Sequence, residues 1–199
     1  MTTRATTTGV DAAGPVEFRD TVRDTDTQAV RDIVASSGFF APHEIDIAVE
    51  LVEEHLARGP ASGYQFVFAN VDGQPVGYAC YGPIGCTVGS FDLYWIAVQA
   101  ASRGHGLGRR LLRQVEQRVI RAGGRRLYIE TSSRPLYEPT RRFYESCGYH
   151  AEARLDDFYS PGDAKVIYVK RLNATSTSEA GRDDNVQQQA RSVSDGPAL

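Results

Sequence analysis

The sequence predicts an α+β domain with a mixed central sheet of about seven strands flanked by about four helices. Segments with strand and helix periodicity follow one another in the order β-α-α-β-β-β-α-β-α-β-β. The chain has 199 residues, of which 41% are hydrophobic and 24% charged, values usual for one globular domain. We expect the folded domain to cover residues 16–172, between disordered tails at 1–15 and 173–199 whose residues are mostly small and polar.

Each element in the first half of the domain has a local signal. Residues 16–19 alternate in polarity like a strand, and apolar residues at helical spacing follow from Thr25. Pro42 suits the first turn of a second helix, which the Gly59-Pro60 pair ends. The next three strands are predicted at residues 64–69, 75–81 and 91–98. The Asp72-Gly73 pair between the first two of these strands indicates a hairpin.

The second half begins with a helix that carries apolar residues on one face from Leu107 to Ile120 and ends at Gly123-Gly124. The remaining predicted elements are a strand at residues 127–131, a short helix at 139–147 and two closing strands at 149–159 and 165–172. The strand at 91–98 is apolar on both faces, which predicts a central position in the sheet.

The composition excludes several classes of function. A formal net charge of -3 gives no general field to attract nucleic acid or an anionic membrane. No apolar run approaches the length of a membrane span. The three cysteines and four histidines have no metal-ligand spacing, so we expect no metal. Unpaired thiols in odd number favour a cytoplasmic location.

A glycine-rich loop at residues 103–108 joins the strand that ends at Val98 to the next helix. The start of a helix offers free backbone N–H groups and a partial positive charge, which together bind an anion. Glycines bring these N–H groups close to a ligand. Arg103, Arg109 and Arg110 add positive charge beside them. This pattern predicts a diphosphate ligand.

Two common diphosphate motifs do not fit this loop. A P-loop is excluded because no Lys-Ser/Thr pair follows the glycines. Gly104 and Gly106 fit the start of the dinucleotide-binding fingerprint, but Arg109 occupies the position of its third glycine.

The spacing Arg-x-x-Gly-x-Gly from Arg103 resembles the acetyl-CoA motif of the GNAT superfamily of N-acetyltransferases. Upstream, residues 94–98 resemble the fourth strand of that family. Downstream, residues 140–149, with the Phe143-Tyr144 pair, resemble its second motif. The resemblance covers residues 76–168. It implies the GNAT fold and an acyltransferase that moves an acetyl group from acetyl-CoA to a primary amine by direct attack.

The resemblance also implies which residues bind acetyl-CoA. Backbone amides at the end of the fourth strand would hold the acetyl carbonyl and the pantetheine, and the loop amides would hold the pyrophosphate. The implied contacts are Ile96, Ala97, Val98, Arg103, Gly104, His105, Gly106, Leu107, Gly108, Arg109, Tyr137 and Tyr144. Tyr137 stands where the family often has an asparagine that contacts the cofactor, and a tyrosine there could reach the pantetheine or line the acceptor pocket.

Tyr144 is the candidate for the acid that protonates the departing thiolate. It occupies the position of the motif tyrosine, and a phenol near the sulfur is a suitable proton donor. The alternative is that Tyr144 only packs along the pantetheine, while its neighbour Phe143 is expected in the core.

Asp92 is the candidate for the general base, with Glu130 as the alternative. Asp92 lies six residues before Val98, the offset at which some family members carry a catalytic glutamate. Strand alternation predicts that Asp92, Tyr94, Ile96 and Val98 share one face, which would point the carboxylate into the substrate cleft with a raised pKa. A role in fixing a loop or in binding the substrate amine is equally open.

The acceptor site is expected between the first two helices and the last hairpin, because those elements set acceptor specificity in the family. The predicted substrate-binding residues are Phe39, Phe40, Asp92, Tyr94 and Phe158. Aromatic and carboxylate groups suit an ammonium with an apolar body, although Phe39 or Phe40 could instead pack the second helix onto the core.

The leading prediction for the acceptor is a small amine or an amino-acid-like metabolite. Protein or peptide N-acetylation, or a non-catalytic acyl-CoA-binding regulator, are the alternatives. We expect no nucleic-acid or membrane partner, and a homodimer stays open.

Overall fold

The fold is taken from a computed structural model, which describes residues 15–172. The predicted tails lie outside the described residues except for Pro15, so the domain boundaries stay a prediction.

Within the described residues, the chain forms seven strands and four α-helices in the predicted order. The strands are β1 (Glu17–Arg19), β2 (Gln65–Val71), β3 (Gln74–Pro83), β4 (Ser90–Val98), β5 (Arg126–Ser132), β6 (His150–Ser160) and β7 (Asp163–Arg171). The helices are α1 (Asp26–Ser36), α2 (Pro42–Arg58), α3 (Leu107–Arg121) and α4 (Glu138–Ser146). The predicted α+β class with a mixed sheet is confirmed.

The seven strands form one sheet in the order β1-β2-β3-β4-β5-β7-β6. Only β4 and β5 run parallel, and every other neighbouring pair is antiparallel. The predicted hairpin joins β2 to β3, where Asp72 and Gly73 both adopt positive φ, as a tight two-residue hairpin turn requires.

Each face of the sheet packs against helices. On one face, α3 and Tyr144 of α4 form a core with β2–β5 and β7, in which Leu111, Val115 and Val119 are fully buried. On the other face, α1 and α2 cover only β2, β3 and β4. Because each buried aliphatic side chain contributes about 1.5–3 kcal/mol, these two cores hold the layers together. Among residues 15–172, no helix covers the second face of β5, β7 and β6.

A β-bulge interrupts β4 at Tyr94. Cys80 of β3 is paired with Trp95 and the next residue, Tyr81, is paired with Leu93, so Tyr94 has no partner. One extra residue reverses the alternation of side chains beyond it.

The bulge makes one prediction wrong. Phe91 and Leu93 are buried in the core on the α3 side, so Asp92 between them points to the opposite face. Beyond the bulge, Ile96 and Val98 pack against the α3-side core. Asp92 therefore does not share a face with Ile96 and Val98, because strict alternation does not hold across a bulge.

Candidate active site

A cleft of about 940 Å³ opens where β4 and β5 separate. The two strands are paired only between residues 90–93 and 126–129. Beyond the bulge at Tyr94 they diverge, and the gap is lined by both strands, α4 and the loop before α3. The volume is in the range of small-molecule sites.

The lining residues fall into two halves. The loop half comprises Ile96, Ala97, Val98, Arg103, Gly104, Gly106, Leu107, Gly108, Arg109, Phe143 and Tyr144. The aromatic half comprises Phe39, Phe40, Glu44, Tyr94, Trp95, Glu130, Ser132, Arg134, Tyr137, Tyr159 and Asp163.

The loop half is built around the N-terminus of α3. Gly104 and Gly106 adopt φ of +85° and +71°, values that glycine reaches without strain. Gly106 is the N-cap residue of α3, and no side chain caps this helix end. The backbone N–H groups of the first turn are therefore available to an anion in the cleft.

Two of the predicted phosphate-side arginines are engaged with protein groups. Arg109 donates from Nη1 to the carbonyl oxygen of Ser146 and from Nη2 to its Oγ, both at 2.9 Å. The guanidinium of Arg110 lies 5.3 Å from the centre of the Phe18 ring. These contacts leave the two guanidinium groups less available to a ligand in the cleft than the backbone N–H groups at the start of α3.

Arg103 connects the two halves of the cleft. Its Nε donates to the carbonyl oxygen of Val98 at 3.2 Å, and its Nη1 lies 3.5 Å from the carbonyl oxygen of Ser37 at the end of α1. Its guanidinium also lies 5.3 Å from the centre of the Phe39 ring. Arg103 of the loop half thus contacts the segment between α1 and α2, which carries Phe39 and Phe40 of the aromatic half.

Tyr144 lies in the wall of the cleft with 5% of its surface exposed. The rings of Tyr149 and Tyr168 pack against the Tyr144 ring, with centroids 6.0 and 6.1 Å from its own. Burial raises the pKa of its phenol well above the ordinary value. The hydroxyl is protonated at neutral pH at its ordinary pKa as well, and the raised pKa makes it a weaker proton donor than a free phenol.

Asp92, Glu130 and Lys165 form a charged group on the open face of the sheet. Lys165 Nζ lies 2.7 Å from Glu130 Oε2. Burial raises the pKa of Asp92, the Glu130 carboxylate raises it further, and Lys165 opposes both. Glu130 lines the cleft, whereas Asp92 stands behind it on the neighbouring strand. The two carboxylates are thus coupled, and only Glu130 is in the wall.

Ring contacts order the aromatic half. The Phe40 and Trp95 rings lie 5.1 Å apart, and Tyr94 meets Tyr64 edge to face at 5.4 Å. These offset and edge arrangements are the ones that aromatic pairs prefer.

Tyr137 lies in the same half. Burial, followed by the nearby Glu44 carboxylate, raises the pKa of its phenol, although the Arg134 guanidinium opposes this. Tyr137 and Glu44 both line this part of the cleft.

A polar cluster that the sequence did not predict completes the aromatic half. Asp163, almost fully buried, accepts hydrogen bonds from Ser132 Oγ at 2.6 Å and from the backbone N–H of Ser133 at 3.1 Å. Arg134 Nε lies 3.2 Å from its other oxygen. Burial raises the pKa of Asp163, but these three partners lower it overall. No local motif marks this cluster, since it joins the end of β5 to the start of β7.

Most of the predicted site residues come together in the cleft. Every predicted acetyl-CoA contact lines it except His105, which is exposed on the loop. Phe39, Phe40 and Tyr94 line it as well.

Phe158 is outside the wall, with its ring centre 3.8 Å from Lys165 Nζ. Its neighbour Tyr159 lines the cleft, and Lys165 also pairs with the lining residue Glu130. The roles of all these residues remain predictions.

Two further observations concern the described part of the chain alone. No group of three or more His, Cys, Asp or Glu side chains in residues 15–172 is arranged to hold a metal ion. No helix in the same range is long and apolar enough to span a membrane.

Comparison with known proteins identifies the family. The model of the acetyltransferase (GNAT) family matches residues 28–149. An uncharacterised N-acetyltransferase of Methanocaldococcus jannaschii is 29% identical over 111 residues, which cover 53% of this chain and 65% of that protein.

Solved structures agree with this result. A GNAT-family acetyltransferase from Desulfovibrio desulfuricans is 52% identical, with a TM-score of 0.79 over 80% of this chain and 100% of that one. An aminoglycoside 6'-N-acetyltransferase complexed with coenzyme A is 19% identical and shares the fold, with a TM-score of 0.64 over 80% of this chain and 98% of its own. The chain belongs to the acetyltransferase (GNAT) family, and its enzyme class is that of the N-acetyltransferases.

Proposed function

We propose that this protein transfers the acetyl group of acetyl-CoA to the primary amine of a small molecule. One observation carries the proposal: a single cleft joins an uncapped helix N-terminus to a wall of aromatic rings and carboxylates. The helix end suits the pyrophosphate of the donor. The aromatic and acidic wall suits an ammonium group that carries an apolar body.

The residues of the loop half would position the donor. The first-turn amides of α3 bind the pyrophosphate, and the backbone of residues 96–98, which β5 does not pair with, holds the pantetheine and the acetyl carbonyl. No metal is needed in this reaction, because backbone N–H groups can polarise the thioester carbonyl.

The reaction is a direct transfer. The amine nitrogen attacks the carbonyl carbon of the thioester, the new C–N bond forms, and the C–S bond breaks. The amine loses a proton to the coupled carboxylates Asp92 and Glu130, directly or through a water molecule. The departing thiolate takes a proton from Tyr144, whose phenol is protonated at neutral pH and lies in the wall of the cleft.

The acceptor is a small amine or an amino-acid-like metabolite. Phe39 and Phe40 on one side and Tyr159 on the other bound the aromatic half, which suits a compact molecule. Glu44 contributes negative charge that attracts its ammonium group, while the charge of Glu130 is partly balanced by the Lys165 ammonium 2.7 Å away.

The test is a screen of small amines, amino acids, polyamines and peptides with acetyl-CoA, read as release of free CoA thiol. Turnover with small amines and none with peptides supports the proposal. Turnover with peptides alone replaces it with protein N-acetylation. Acetyl-CoA binding in a calorimeter, without thiol release on any acceptor, replaces it with a binding protein that regulates by holding acyl-CoA.

A further inference from the structure

Positive charge reaches the aromatic half of the cleft through Arg134. Among the described residues, the cations that line the cleft are Arg103, Arg109 and Arg134. Arg109 bonds Ser146, and Arg103 bonds the Val98 carbonyl oxygen in the loop half. Arg134 belongs to the aromatic half, and 54% of its side chain is exposed. The aromatic half therefore holds an arginine whose charge can meet a ligand.

The guanidinium of Arg134 is held at its Nε atom. Nε lies 3.2 Å from Oδ2 of Asp163, which is the one carboxylate within ion-pair distance of Arg134 among residues 15–172. It also lies 3.4 Å from Ser132 Oγ. The guanidinium carbon lies 5.5 Å from the centre of the Tyr137 ring. Ion pairing through Nε leaves the two Nη groups for a further partner, and two parallel N–H donors match the two oxygens of a carboxylate.

Asp163 does not depend on Arg134 for its hydrogen bonds. Its Oδ1 accepts from Ser132 Oγ at 2.6 Å and from the backbone N–H of Ser133 at 3.1 Å. An arginine that served only to neutralise this carboxylate would be expected to place both arms of its fork on it. Asp163 instead fixes the position of the arginine, while the end of the arginine side chain stays available at the cleft wall.

Arg134 lies close to the carboxylates that are proposed to take the proton of the amine. Glu130 and Ser132 are two residues apart on β5, so they share a face about 6–7 Å apart. Burial raises the pKa of the Tyr159 phenol, and the carboxylates of Glu130 and Asp163 raise it further. An amine near Glu130 and an anion at Arg134 can therefore belong to one small molecule.

We propose that the acceptor carries a carboxylate as well as its amine, and that the Nη groups of Arg134 bind this carboxylate. The inference rests on the proposed acetyl transfer and narrows its acceptor to an amino acid with an apolar side chain. The rings of the aromatic half contact that side chain.

The charges of the aromatic half favour a carboxylate over a phosphate. Its wall contains the carboxylates of Glu44, Glu130 and Asp163, which face the cations of Arg134 and of Lys165 beside it. A phosphate monoester carries about 1.5–2 negative charges at neutral pH, whereas a carboxylate carries one. An amino acid adds no net charge here, because its ammonium meets the glutamates while its carboxylate meets the arginine.

Thiol release from acetyl-CoA with matched acceptors tests the inference. The panel comprises phenylalanine, tyrosine, leucine and methionine, each beside its amide and beside the amine that lacks the carboxyl group. We expect kcat/KM to be about tenfold or more higher for the amino acids than for their amides. The amino group of an amide is more acidic than that of the amino acid, so a slower amide cannot be explained by a shortage of free amine.

Arg134→Met removes the charge and keeps a long side chain. The ratio of kcat/KM between amino acid and amide is expected to fall to about one. Arg134→Lys keeps the charge without the paired donors and is expected to retain part of the ratio. The matched control is Arg154→Met, since Arg154 is 56% exposed, pairs through Nε with Asp156 at 2.8 Å and lies outside the cleft wall. This control is expected to keep the wild-type ratio.

Calorimetry with acetyl-CoA and thermal melting accompany each variant, and the comparison of amino acid with amide in the wild type holds even where a variant fails to fold. Arg134→Met is expected to keep acetyl-CoA affinity within about twofold, and a loss of about tenfold would assign Arg134 to the donor and overturn the inference. Amides that react as fast as the amino acids, or a ratio that survives Arg134→Met, would overturn it and leave the proposed acetyl transfer standing. Thiol release with no compound of this panel or of the wider amine screen would overturn both.

Discussion

The two halves of the cleft are built in different ways. The loop half comes mainly from one stretch of chain, residues 96–109, and the anion site that we propose there consists of backbone N–H groups at a helix end. The aromatic half takes side chains from the α1–α2 segment, α2, β4, β5, the β6–β7 hairpin and the segment before α4. A site made of backbone in one stretch leaves a motif in the sequence, whereas a site assembled from distant side chains does not.

The largest expected effect concerns Tyr144, the side chain on which the proposed chemistry of the loop half depends. Tyr144→Phe keeps the ring and removes the proton donor, so we expect kcat to fall about 100-fold while the acetyl-CoA dissociation constant stays within about twofold. Steady-state kinetics and calorimetry measure the two quantities. Tyr168→Phe is the matched control, because it removes a phenol whose hydrogen bond goes to Glu145, outside the cleft wall. An unchanged kcat in Tyr144→Phe would leave that residue a packing role.

The second-largest expected effect tests whether backbone N–H groups or arginine side chains bind the pyrophosphate of acetyl-CoA. Gly106→Ala imposes a side chain on a residue with φ of +71° and strains the helix start by about 1 kcal/mol or more, so acetyl-CoA affinity should fall about tenfold. Arg109→Ala removes a guanidinium that already bonds Ser146, and its effect on affinity should be clearly smaller. Calorimetric titration of both variants decides the matter. The reverse order of effects would assign the pyrophosphate to the arginine.

Glu130 of the aromatic half and Asp92 behind it give a prediction about pH. If Asp92 is the base, kcat/KM rises with pH as its carboxyl group loses a proton. Glu130 raises the pKa of Asp92, so Glu130→Gln should move this acid limb to lower pH. Lys165 lowers that pKa, so Lys165→Met should move the limb to higher pH. If both variants keep the wild-type acid limb of kcat/KM, the substrate amine gives its proton to a group other than Asp92.

The smallest expected effect concerns Arg103, which contacts both halves of the cleft. Arg103→Ala removes contacts to Ser37 and Phe39, and an exposed cation–π contact contributes about 0.5–1 kcal/mol. We expect the acceptor KM to rise about threefold, with a smaller change in acetyl-CoA affinity. Kinetics with the acceptor varied at saturating donor, beside calorimetry of the donor, separate the two. A larger loss on the donor side would show that Arg103 serves the phosphates instead.

Much of the fold could be predicted because local patterns were strong. The Asp72-Gly73 turn, Pro42 at the start of α2 and the apolar face of α3 each indicate one structure, and each is found. The bulge at Tyr94 could not be predicted, because nothing in residues 90–98 shows that β3 skips one of them. Because of that extra residue, Asp92 lies on the face of β4 opposite to Ile96 and Val98.

The acceptor side was less predictable for a similar reason. Asp163 and Arg134 each look like ordinary loop charges in the sequence. Only the register of β5 against β7, which sets Ser132 opposite Lys165, brings Asp163 to Ser132 and Arg134. The identity of a binding wall of this kind depends on three-dimensional contacts that no spacing along the chain records.

The bulge at Tyr94 also bears on how the cleft could be removed. A variant that lacks Tyr94 would have a β4 with uninterrupted pairing to β3. Because Leu93 already lies opposite Tyr81 and Trp95 opposite Cys80, the residues on both sides of the deletion would keep their faces and both cores would keep their members. The deletion would therefore remove only the bend and extra twist that the bulge gives β4 at the point where it leaves β5.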